Sequence, residues 1–116
     1  MDERIEKAFE VANYMATLSN QRRLMVEEFN QKLIYYANGG TFKITPELLC
    51  LAKTWLDRGL IQDVVFIDAN TVPVIIDNLN DFYEEICTQY LQAVSDYSSK
   101  FSDIRVKRKI SAIIEL

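Results

Sequence analysis

The stretch DVVFIDANTVPVIIDNLNDFYEEI, Asp63 to Ile86, decides the fold class. Val64-Val65-Phe66-Ile67 and Val72-Pro73-Val74-Ile75-Ile76 are β-branched runs, separated by the turn-forming cluster Asp68-Ala69-Asn70-Thr71. This reads as a β-hairpin over 64–76. Pro73 has no N–H for a ladder, which puts that strand at a sheet edge. Asp77-Asn78-Leu79-Asn80 then offers helix N-caps. Leu79, Phe82, Ile86, Tyr90, Ala93, Tyr97, Phe101 and Ile104 follow at steps of three and four, with Tyr83, Cys87, Leu91 and Val94 widening the stripe. That spacing predicts a long helix over about 79–104 with a broad core-facing side.

Upstream lies a second well-punctuated helix over 46–58. Thr45 is its N-cap, Pro46 sits at N1 and Glu47 complements the dipole. Ile44 and Leu49 are spaced for a hydrophobic staple. Gly59 ends the helix, with Leu60 folding back toward Trp55. The expected buried face is Leu48, Leu51, Ala52, Trp55 and Leu56. Thr41-Phe42-Lys43-Ile44 alternates and reads as a strand, the third member of the sheet begun by the hairpin.

Residues 3–37 contain no Gly or Pro. Ile5, Ala8, Phe9, Ala12, Met15, Val26, Phe29, Leu33 and Tyr36 fall at helical intervals, interrupted by the polar run Ser19 to Arg23. One helix of this length would run roughly 52 Å, more than a compact small domain needs. Either Ser19 caps a second helix, or the helix continues with a polar layer in its seam. No residue there forbids helix, so continuity is expected. Asn38-Gly39-Gly40 reads as its C-terminal stop. The expected architecture is α+β and mostly helical. Two long antiparallel helices carry a short helix and a small antiparallel sheet (strand plus hairpin) at one end, in a single domain over 1–116. Residues 105–116 form a basic, then apolar, tail.

The 116-residue chain has 49% hydrophobic and 26% charged residues and a net charge of −4, the balance of an ordinary globular domain. It has no histidine, which removes Ser-His-Asp and Cys-His nucleophilic sites, His-bearing zinc sites and an imidazole pH switch. Cys50 and Cys87 form no CxxC and read as small hydrophobes buried on helix stripes. Neither GxGxxG nor GxxxxGK[ST] occurs, so the common phosphate cradles are missing. No apolar run suits a membrane span. MDERIEKAFE lacks the charged-then-apolar pattern of an export signal, leaving the cytoplasm as the default location.

Four bases, Arg105, Lys107, Arg108 and Lys109, crowd into five positions, and without them the other 9 bases face 17 acids. They form a candidate contact for phosphate, nucleic acid or an acidic partner, although a solvated helix end favoured by the macrodipole is the plainer reading. Arg22 and Arg23 are read alongside them, against plain pairing of Arg23 with Glu27 or a register-setting polar layer. Asp63, Asp68, Asp77, Asp81, Glu84 and Glu85 match no EF-hand loop and suit turn, cap and solvated-face duties. Six tyrosines are numerous for this length, and Tyr adds apolar area while keeping a polar tip. Tyr90, Tyr97, Phe101, Ile110, Ile113 and Ile114 are therefore the candidate oligomer interface.

MDERIEKAFEVANYMATLSNQRR, YYANGGTFKITPELL and the hairpin leading into IDNLNDFYEEI together resemble small proteins of T4-like marine cyanophages and related ocean-metagenome sequences. The resemblance spans the chain and implies a phage-encoded protein acting in the cytoplasm of an infected host. It carries no functional residues across. The reading is a non-enzymatic oligomeric protein-interaction module, with no cofactor and no metal. It would bind its own copies and a protein partner of unknown identity, and no membrane. The alternative is a nucleic-acid-associated accessory protein using the basic segment.

Overall fold

The structure is a computed structural model that describes residues 2–114, with side chains described through Lys107. The chain is α+β and mostly helical, with element order α1 (Glu3–Lys32), β1 (Ile34–Ala37), β2 (Gly40–Lys43), α2 (Pro46–Asp57), β3 (Gln62–Ile67), β4 (Pro73–Asn78) and α3 (Leu79–Ile114). It divides into two compact units. A helical unit comprises Met1–Glu28 and Asp96–Leu116, and a packed unit comprises Phe29–Ser95.

Three expectations change. First, α1 runs unbroken through Ser19 to Arg23 but stops at Lys32, not at residue 37. Residues 34–37 instead pair with 40–43 as an antiparallel hairpin, Ala37 opposite Gly40 and Ile34 opposite Lys43. Asn38 and Gly39 have φ of 50° and 81°, the paired left-handed residues of a primed hairpin turn. Gln89 fixes the transition: its side-chain amide donates to the carbonyls of Lys32 (2.7 Å) and Ile34 (2.8 Å), which continued helix would have occupied.

Second, the strand over 41–44 does not join the 64–76 hairpin. There are two separate two-stranded sheets, β1-β2 and β3-β4. β2 has given its ladder to β1, and the hairpins are tied by loop groups. The Asp68 carboxylate accepts from the backbone N–H of Thr41 (3.0 Å), Asn70 (2.9 Å) and Val72 (2.9 Å). Ala69 N–H donates to the Thr41 carbonyl at 2.8 Å. Gly40 permits close approach: a Cβ there would lie 2.5 Å from Val74 Cγ2.

Third, α3 does not end near residue 104. Its backbone stays helical to Ile114, through most of the stretch read as a tail. Nothing between Arg105 and Ile114 is Gly or Pro, so no residue there stops a helix.

The packed unit holds its core between the hairpins, α2 and the start of α3. Twelve buried apolar residues form one cluster, including Phe42, Ile44, Phe66, Leu79, Phe82 and Ile86. Phe42, Phe66 and Phe82 meet with centroids 5.3–6.4 Å apart, and Trp55 lies 4.8 Å from Phe66. Such contacts add about 0.5–1.5 kcal/mol each beyond area burial. The ends of α2 follow their sequence signals. Thr45 Oγ1 accepts from Leu48 N–H, and Leu60 N–H reaches the Trp55 carbonyl at 3.0 Å around Gly59 (φ 84°). Its inward face includes Leu49, whereas Leu51 is exposed. Asn78 caps α3 by accepting from Asp81 N–H.

Candidate interaction surfaces

In the helical unit, a 3.6-residue period dictates which side chains share a face, and burial shows which face is covered. Among its described residues only three apolar side chains are buried: Leu18, Met25 and Ile104. The stripe that begins α1 is open instead. Ile5 is 47% exposed and Phe9 58%, and Tyr14, Met15 and Leu24 are exposed with them; on α3 so is Val106. Periodicity placed Ile5, Phe9 and Met15 on one helical stripe without saying what covers it.

The two helices meet along Gln21–Glu28 and Lys100–Lys107. Lys100 Nζ lies 2.6 Å from Glu28 Oε2 in an ion pair with both partners about half exposed. A groove of about 280 Å³ is floored by Leu24, Met25 and Ile104 and rimmed by Glu28, Lys100, Asp103 and Lys107. Its rim thus carries two acids and two bases. A rim of mixed sign suits a polyanion poorly, because a polyanion needs one sign of charge.

Four of the six candidate anion contacts, Arg22, Arg23, Arg105 and Lys107, have described side chains, each in a different setting. Arg22 places its guanidinium 5.6 Å from the centroid of the Phe101 ring, a cation–π contact rather than a free cation. Arg105 borders a shallow site with Ser98, Phe101, Ser102 and Val106, and Lys107 belongs to the groove. Arg23 is exposed and forms no ion pair with Glu27. The side chains of Arg108, Lys109, Ile110, Ile113 and Ile114 lie outside the described residues. Among the remaining interface candidates, Tyr97 and Phe101 pack ring against ring with centroids 6.1 Å apart, both half-buried. Tyr90 packs against the core of the packed unit.

In the packed unit the unforeseen surface is the outer side of the β3-β4 hairpin. Val64, Phe66, Val74 and Ile76 point into the core, so the pleat sends Val65, Ile67 and Ile75 outward into solvent. The runs Val64–Ile67 and Val72–Ile76 held the signal: apolar residues fill both faces instead of alternating with polar ones.

The remaining titratable groups play local roles. Backbone N–H groups, Thr41 first and then Val72, hold the Asp68 carboxyl below its ordinary value against a smaller opposing effect of burial. A hydrogen bond with Cys87 pushes the Tyr83 phenol upward, helped by desolvation. Cys50 is exposed and Cys87 half-buried, so neither is the fully buried small hydrophobe expected of it; Cys50 stands on the outer face of α2. Among the described residues no group of three or more His, Cys, Asp or Glu is placed to hold a metal, and no helix is long and apolar enough to cross a membrane. No protein-family model, curated protein or solved structure matches the chain.

Proposed function

We propose that the chain is a non-enzymatic, self-associating protein-interaction module whose helical unit docks on a second copy of itself. The observation that carries this reading is the open stripe Ile5, Phe9 and Met15 on a unit with three buried apolar side chains among its described residues. A helix this exposed draws little stability from packing, yet helices in water are held chiefly by packing of an apolar face. Pairing two such units supplies the missing cover, as in a four-helix bundle. Charge does not oppose it: the unit's nine basic and nine acidic residues cancel. Among the described residues the basic-segment reading has less support, because Arg22 is engaged by an aromatic ring and the groove rim is of mixed sign.

Sedimentation equilibrium tests this. The chain should sediment as a multiple of 13.5 kDa, and the double variant Ile5→Lys/Phe9→Glu should return it to 13.5 kDa without loss of secondary structure. A wild-type mass of 13.5 kDa at every concentration would reject self-association.

A further inference from the structure

The β3 strand of the packed unit has an open edge. Val65 pairs with Ile75 and Ile67 with Pro73. The Ile75 carbonyl turns away from β3, since the Asn38 side-chain amide donates to it at 2.6 Å, and Pro73 has no N–H to offer. These are the wide pairs of the antiparallel ladder, in which opposed residues direct their N–H and C=O groups outward. Val65 and Ile67 therefore present two donors and two acceptors on the side away from β4. Those four groups have no hydrogen-bond partner among the described residues. The two edges differ: β4 is closed by Pro73 and the Asn38 amide, whereas β3 carries neither the proline nor the lysine that commonly blunts an edge. Val65 is 48% exposed and Ile67 59%.

A row of outward backbone groups is matched by an extended backbone and by no other common element. Charge selects which one. Asp63 and Asp77 stand between the Gln62–Asn78 and Val64–Ile76 pairs, both exposed, and neither forms an ion pair among the described residues. The packed unit carries eight acids against four bases, so the whole net charge of −4 resides there. Joining two such edges would bring like charge together, whereas a basic segment would be attracted. We propose that the β3 edge accepts an extended segment of another protein, antiparallel to β3, with alternating aliphatic side chains and lysine or arginine where it passes Asp63 and Asp77. The inference rests on the packed unit alone and holds or fails independently of helical-unit pairing.

The test uses the full ¹⁵N-labelled chain. The probe is a synthetic peptide of about ten residues, alternating valine and threonine and ending in two lysines, because an antiparallel partner brings its C-terminal end to Asp63. At saturation, hydrogen exchange at the Val65 and Ile67 amides should slow by about tenfold or more. Replacing the lysines by glutamates, or using the Asp77→Lys chain, should weaken binding by about tenfold. A peptide N-methylated at the pairing amides should not bind. Unchanged exchange at Val65 and Ile67 at millimolar peptide overturns the proposal, and so does equal binding by the N-methylated peptide. Amides already protected without peptide, in a chain whose mass falls on Val65→Lys, would assign the edge to a second copy and overturn it too.

Discussion

The two units enclose their apolar residues to different extents. The packed unit encloses twelve buried apolar residues, three phenylalanines at its centre. The helical unit buries three among its described residues and leaves Ile5, Phe9, Met15 and Leu24 exposed. The first unit also closes its polar connections: Gln89 holds the α1–β1 junction and Asp68 ties the hairpins. The second leaves apolar side chains exposed. An amphipathic pattern fixes which side of a helix is apolar; it does not say whether the cover lies in the same chain.

The largest effects are expected from a matched pair of core deletions. Phe82→Ala, in the packed unit, should cost about 3–5 kcal/mol and do so at every protein concentration. Leu18→Ala, slightly more buried at 2% exposure against 4% for Phe82 but in the helical unit, should cost about 2–5 kcal/mol in the associated state and lower the association constant as well. Thermal melts over a concentration series separate the two; parallel behaviour would erase the distinction. Next is Gly40→Ala, whose Cβ must displace Val74 and which should cost about 1–3 kcal/mol, read from urea midpoints.

Asp68 gives the pH-dependent member of the series. Its folded-state pKa is lowered, so its contribution is present above the unfolded carboxylate value and is lost as pH falls through the lower, folded one. Asp68→Ala should therefore destabilise the packed unit at neutral pH, and the gap to the parent should close in acid. A gap that persists unchanged in acid would assign Asp68 no charge-dependent role. The smallest effect is expected at Lys100→Gln. Its ion pair with Glu28 is about half exposed, and such pairs contribute under about 1 kcal/mol and less in salt.

Much of this architecture is legible in the sequence. Thr45-Pro46, Gly59 and the β-branched runs at 64–67 and 72–76 each carry a local signal that tertiary structure leaves in place. The β1-β2 hairpin was hidden because Asn38-Gly39 serves two structures. Both residues tolerate left-handed backbone, which ends helices and also makes hairpin turns. Leu33 and Tyr36 happened to extend the helical period across it. The end of α3 was hidden for the opposite reason: Arg105 to Lys109 break the apolar stripe without breaking the helix. The interaction surfaces were half legible. Tyr97 and Phe101, expected at an oligomer interface, pack on each other within α3, and the open stripe at Ile5 and Phe9 and the free edge at Val65 and Ile67 depend on what lies opposite them in space.

Hydrogen exchange on serial dilution of the protein tests the central contrast most directly. Amides of α1 from Phe9 to Leu18 should exchange faster as the protein is diluted and its copies separate, while amides of Phe82 to Ile86 hold their protection. Both sets insensitive to dilution, in a chain that stays at 13.5 kDa, would contradict the account.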